Sequence, residues 1–146
     1  MRHHAQRSGL FASAFAQLHA DRCNLFNNGY AAAECAAEAE MTLDDCRIHH
    51  GQRGGALALG RSTMTLRSNL LYHNAMAAVS VRGAANATLR GNQITDGRAS
   101  GVYICEAARA ALEENTITGN RLCGVELEAG RGASLIARKN ILRDNG

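Results

Sequence analysis

A chain of 146 residues is long enough for one domain around one core. The formal charge of +3 is mild and its basic residues are scattered among acidic ones, which argues against a nucleic-acid surface, and no apolar run reaches the length of a membrane span. With no Pro, no Trp, 15 Gly and abundant Ala, the composition suits tightly stacked backbone rather than a core of large side chains.

The N-terminal residues 1–8 read as a tail or cap, with His3-His4 disordered. Arg2 followed by Leu10-Phe11-Ala12-Ser13-Ala14-Phe15-Ala16 faintly imitates a secretory signal, but the same residues fit the repeat that begins at Gly9. The five cysteines, Cys23, Cys35, Cys46, Cys105 and Cys123, are odd in number and show no C-x-x-C pairing. That pattern predicts reduced thiols rather than a disulfide framework or zinc site, and so a cytoplasmic or nuclear protein, with secretion as the lesser alternative.

From there one hexapeptide recurs along the chain. Cys23-Asn24-Leu25-Phe26-Asn27-Asn28 is followed after 23 residues by Cys46-Arg47-Ile48-His49-His50-Gly51, and then by Asn69-Leu70-Leu71-Tyr72-His73-Asn74. Asn92-Gln93-Ile94-Thr95-Asp96-Gly97 and Asn115-Thr116-Ile117-Thr118-Gly119-Asn120 keep the same step. Asn140-Ile141-Leu142-Arg143-Asp144-Asn145 comes two residues late, which places an insertion near Gly130-Arg131-Gly132.

Other columns keep step: Ala20, Leu43, Leu66, Leu89, Leu112 and Ala137 lie three before the Asn/Cys position, and Gly9, Ala32, Gly55, Ala78 and Gly101 fourteen before it. Short alternating runs such as Gly101-Val102-Tyr103-Ile104 predict strands with one face inside. Three strands per 23 residues, broken by Gly and Asn turns, make one triangular coil. The predicted fold is therefore all-β: a single-stranded right-handed parallel β-helix of about six coils over residues 9–146, roughly 29 Å long at the usual strand spacing. Asn69, Asn92, Asn115 and Asn140, with Cys23 and Cys46 in the same column, are predicted to point inward as a ladder that satisfies backbone at a turn. In Gly55-Ala56-Leu57-Ala58-Leu59-Gly60 the alignment turns the leucines outward, so either the strand slips by one residue or Leu57 and Leu59 form an apolar patch.

Stacked coils align side chains in files along flat faces. The first face is predicted to carry Phe11, Glu34, Leu57, Ser80, Tyr103 and Glu126, beside Ser13, Ala36, Leu59, Arg82, Cys105 and Glu128. From these, Leu57, Leu59, Arg82, Tyr103, Glu126 and Glu128 are the candidate binding residues, because an aromatic ring, a guanidinium and carboxylates together can grip a sugar or a peptide side chain. The second face carries Asp21, Asp44, Arg67, Arg90 and Glu113 beside His19, Thr42, Thr65, Thr88 and Ala111. Asp44-Asp45 with His49-His50 is the best candidate cluster for metal or acid–base work, yet a carboxylate pair and two histidines fall short of a catalytic site. Binding rather than catalysis is expected, with no catalytic residue, metal or cofactor.

Laid out in coils, Asn74-Ala75-Met76-Ala77-Ala78-Val79-Ser80-Val81, Ala87-Thr88-Leu89-Arg90-Gly91-Asn92-Gln93-Ile94 and Asp96-Gly97-Arg98-Ala99-Ser100-Gly101-Val102-Tyr103-Ile104 resemble the parallel β-helix repeats of F-box only protein 11 and its relatives, within the wider family of carbohydrate-binding and sugar-hydrolase repeats. The likeness includes the alternation Asn28, Gly51, Asn74, Gly97, Asn120. It implies a module that recognises protein substrates for a ubiquitin ligase, although this chain carries no F-box. The alternative is a carbohydrate-binding or polysaccharide-modifying β-helix. A protein partner is expected first, a carbohydrate second, and the exposed strand edges at either end invite end-to-end self-association.

Overall fold

The computed structural model describes residues 7–128 and 130–146; of the tail expected at residues 1–8, residues 1–6, with His3-His4, lie outside the described residues. Among the described residues eighteen strands form three parallel six-stranded sheets, each taking one strand from every coil. The first face holds Leu10–Ala12, Ala33–Cys35, Ala56–Ala58, Val79–Val81, Val102–Cys105 and Val125–Glu128. On the second lie Gln17–Asp21, Glu40–Asp44, Thr63–Arg67, Asn86–Arg90, Arg109–Glu113 and Ser134–Arg138. Asn24–Phe26, Arg47–His49, Leu70–Tyr72, Gln93–Thr95, Thr116–Thr118 and Ile141–Arg143 make the third. The molecule is a right-handed parallel β-helix of six coils.

The register is the 23-residue step read from the sequence: Ile48 pairs with Leu71, Leu71 with Ile94, and Ile94 with Ile117. The late sixth coil is explained between Glu128 and Ser134, since Cys105 still pairs with Glu128 but Glu113 pairs with Arg138. Inward files of Leu43, Leu66, Leu89 and Leu112, and of Ile48, Leu71, Ile94 and Ile117, are fully buried and form the core with small alanines. Ala56 and Ala58 are also buried, so the strand does not slip, and Leu57 faces outward. Coils approach so closely at Gly101 that a Cβ there would lie 2.7 Å from the Gly124 carbonyl.

Every coil turns its corners with residues in the left-handed conformation. Arg22, Asp45, Ser68, Gly91, Glu114 and Lys139 occupy one such file, and Asn27, His50, His73, Asp96, Gly119 and Asp144 another. Each is followed by a ladder position. After the first comes the Asn column: Asn92 Oδ1 accepts the Asn69 backbone N–H at 2.9 Å, and Asn92 Nδ2 donates to the Leu66 carbonyl at 2.9 Å. Asn69, Asn115 and Asn140 repeat this on the Leu43, Leu89 and Leu112 carbonyls. Cys46 keeps half of the pattern, its Sγ reaching the Ala20 carbonyl at 3.6 Å. A thiol offers no comparable acceptor oxygen to the coil before it, where Cys23 sits.

The second corner file precedes a second ladder. Asn74 Oδ1 accepts the Gly51 N–H and Asn120 Oδ1 accepts the Gly97 N–H, each at 3.0 Å. A Cβ at Gly51 or Gly97 would press to 3.0 Å from that same oxygen, yet the ladder also takes asparagine on successive coils, since Asn145 Oδ1 accepts the Asn120 N–H at 3.1 Å. Among the described residues no buried side-chain nitrogen or oxygen lacks a partner.

Replacing Asn92 by Ala strands the Asn69 N–H and the Leu66 carbonyl in the core. At about 1–3 kcal/mol for each buried group left unpaired, the expected loss is roughly 3 kcal/mol, read as a lower urea midpoint with an unchanged slope.

Candidate functional site

The outward file of the first face is Phe11, Glu34, Leu57, Ser80, Tyr103 and Glu126, in register. Because β-branched and small residues fill the inside of these strands, Leu57 is left on the surface, backed by Leu59 past the strand end. Both are half-buried and form the floor of a groove of about 460 Å³. One wall comes from the connections between coils, through Tyr30, Arg53 and Met76; the other comes from the corner between the first and second faces, through Arg82, Gly83 and Glu106. A second hollow of about 510 Å³ shares Arg82 and Glu106 and continues past Tyr103, Cys105 and Glu128 to Arg131. Together they make a trough along the helix axis.

Each half of the trough has a tyrosine capped by an arginine. The guanidinium carbon of Arg53 lies 5.5 Å from the Tyr30 ring centre, and that of Arg82 lies 5.4 Å from the Tyr103 ring centre. The Tyr103 hydroxyl donates to Glu128 Oε1 at 2.9 Å, and this bond, with the surrounding burial, pushes its pKa up to about 12. Tyr103 is therefore a protonated phenol at neutral pH. Glu106 accepts the Gly83 N–H at 2.8 Å, which ties its carboxylate to the corner of the preceding coil. Burial also raises the pKa of the Cys105 thiol in the trough wall.

Of the six binding candidates, Leu57, Leu59, Arg82, Tyr103 and Glu128 line the trough. Glu126 does not: it accepts the Ser100 hydroxyl at 2.7 Å at the edge of the face, as Glu34 accepts that of Ser8. Tyr30, Arg53, Met76, Glu106 and Arg131 escaped the sequence reading. Tyr30, Arg53 and Met76 are themselves 23 residues apart, so their file was present as a column but fell in a connection rather than a strand.

The structure separates the other cluster. Asp44 belongs to the second face, where His19 Nε2 lies 2.7 Å from its Oδ2 and Arg67 donates to both oxygens at 2.7 and 2.9 Å. These contacts, led by the Arg67 hydrogen bond, hold the Asp44 pKa at about 2. His49 and His50 lie beyond the left-handed corner at Asp45, on the third face and the turn after it. Asp44-Asp45 and His49-His50 thus do not converge, and no group of three potential metal ligands is assembled among the described residues. In the same register Thr42, Thr65 and Thr88 stack beside the charged file, which runs on through Arg90, 3.4 Å from Glu114, to Glu113 and Arg138.

Residues 31–146 match the family described as the right-handed β-helix region. The chain belongs to that family. Its fold is also that of a solved structure, the periplasmic alginate epimerase AlgG, with a TM-score of 0.72 at 11% identity over 94% of this chain. The match covers 46% of that protein, so this chain spans less than half of its length. No curated protein matches the sequence. A likeness at this identity shows the fold alone, but it removes the ground for expecting no enzyme, since an epimerase is built on the same coils. The expectation of a purely non-catalytic protein, which rested on how thin the cluster of Asp44-Asp45 with His49-His50 is, is corrected accordingly. Nothing in either comparison supports an F-box adaptor or a place in ubiquitin ligation.

A depressed carboxyl pKa adds stability above the unfolded value near 3.8 and loses it as pH falls through about 2. Asp44→Asn is therefore expected to lower the urea midpoint at pH 6, with the difference from the parent shrinking towards pH 2. Equal differences at both pH values would contradict the ion-pair account.

Proposed function

We propose that the trough on the first face holds a polysaccharide chain, and that the protein is a carbohydrate-binding, polysaccharide-modifying β-helix. One observation carries this reading: two tyrosine–arginine couples bracket an apolar floor along a single axial trough. Sugar rings present apolar C–H faces to aromatic and aliphatic side chains while their hydroxyls bond to charged groups at the rim. Leu57, Leu59, Tyr30 and Tyr103 supply the first kind of surface; Arg53, Arg82, Glu106 and Glu128 supply the second. The alginate epimerase of the same fold supports a polysaccharide substrate over a protein one.

For modification, the trough offers a proton donor and a cation side by side. Tyr103 keeps its proton at neutral pH, Glu128 orients the hydroxyl, and Arg82 stands over the ring to meet developing negative charge. Proton donation to a sugar carbon or oxygen is the chemistry this protonated hydroxyl suits.

Calorimetric titration against a panel of neutral and uronate-containing oligosaccharides, with NMR of the products, tests the reading. At least one glycan is expected to bind, with Arg82→Ala weakening it about tenfold, or about 1.4 kcal/mol. Tyr103→Phe is expected to keep binding, since the ring remains, and to lose turnover. Absence of binding across the panel, or an Arg82→Ala affinity equal to the parent, would overturn it.

A further inference from the structure

The third face carries a feature that the glycan reading does not use. Its outward file begins Phe26, His49, Tyr72, in register, with rings stacked nearly parallel at centroid distances of 5.3 and 4.7 Å. His50 and His73 follow in the adjoining corner file, edge-on to this stack and to each other. The nitrogens of the three imidazoles are linked in series. His49 Nε2 lies 2.8 Å from Asn24 Oδ1, His49 Nδ1 lies 2.7 Å from His50 Nδ1, and His50 Nε2 lies 3.4 Å from His73 Nδ1.

Tautomers along such a series follow one another. The Asn24 oxygen can only accept, so His49 carries its proton on Nε2 and presents a lone pair at Nδ1. His50 must then donate from Nδ1, which leaves its Nε2 as the acceptor for a proton on His73 Nδ1. Every nitrogen between Asn24 and His73 is thereby committed, and the one free lone pair is His73 Nε2.

We infer that His49, His50 and His73 form a pH-operated switch, a wire of neutral imidazoles that holds the Phe26–His49–Tyr72 stack and breaks when a second proton enters. A first proton enters at the free His73 Nε2, or relays along the series to His49 with the tautomers reversed, and keeps every bond; with a second proton in the wire, two N–H groups must face each other, across 2.7 Å at His49–His50 or 3.4 Å at His50–His73. No carboxylate stands among the neighbours of His49; Asp96 follows His73 in the corner file and accepts the Thr95 hydroxyl at 2.7 Å. The preceding coil contributes Asn24 and Phe26, the following coil Tyr72 and His73, and the strand itself Arg47, another cation. The one histidine–carboxylate ion pair among the described residues is His19–Asp44, on a different face. Burial first, and then His50, Arg47 and His73, hold the His49 pKa below its usual 6.5. With the folded value depressed, this group's share of stability is present above the unfolded range and is lost as pH falls through the folded value. Acidification would part the rings and turn a neutral aromatic strip into a cationic one.

Long-range ¹H–¹⁵N NMR of the histidine-labelled full chain tests this, together with near-ultraviolet circular dichroism of its tyrosines. At neutral pH, His49 is expected as the Nε2–H tautomer and His50 as the Nδ1–H tautomer. His49 is expected to titrate below the free imidazole range, and the tyrosine signal to change with it. His50→Ala, at an exposed position, should raise the His49 midpoint and uncouple the tyrosine signal, with far-ultraviolet spectra confirming an intact fold. Mixed tautomers at neutral pH, or a tyrosine signal that stays flat while all three histidines titrate, would overturn the switch. Neither result depends on whether the trough binds a glycan.

Discussion

The structure depends on how the backbone is satisfied where each coil turns from its second face to its third. Along a face, strand amides pair with the coils above and below, but at a corner the chain leaves that plane and its polar groups point inward. The carbonyls of Leu43, Leu66, Leu89 and Leu112 meet this problem, and each is met by the amide of an asparagine one coil later. The same amide oxygen takes the N–H of its counterpart in the coil before. One side chain thus closes two gaps, and it can do so only if each coil brings its corner back into register, as the last coil does at Asn140 despite its two extra residues. A buried unpaired amide group costs more than any single contact it could gain by shifting, so the winding is locked.

A locked winding frees the surface. Since inward files carry the stability, outward files can hold any chemistry that the neighbouring coils tolerate, and three unrelated surfaces result. The first face becomes an axial trough with rings, cations and carboxylates in sequence. The second is an ion-paired face in which Asp44 is clamped by Arg67 and His19, while Asp21 turns instead to Arg22. The third gathers the imidazole wire. Each is assembled from residues 23 apart, so short side chains meet although they are distant in sequence.

Almost all of the fold was legible because it is periodic: strand files, ladder and late sixth coil are visible as columns. The Asn28, Gly51, Asn74, Gly97, Asn120 alternation was also visible, but the second ladder it belongs to, which ends in Asn120 and Asn145 on successive coils, needed coordinates. The site was read in part. Leu57 and Tyr103 could be placed because strand residues alternate strictly, and Arg82 because it continues that alternation one residue past its strand, whereas Tyr30, Arg53 and Glu106 sit where the chain bends and periodicity says nothing about direction. Asp44 and His49 misled for the opposite reason. They are near in sequence, but the left-handed turn at Asp45 sends them to different faces.

Hydrogen exchange of the side-chain amides, followed by NMR on the intact protein, tests the ladder most directly. The carboxamide protons of Asn69, Asn92 and Asn115 are predicted to be protected to the level of global unfolding, with those of exposed Asn86 exchanging at once. Exchange of the three ladder amides at the rate of Asn86 would contradict the account.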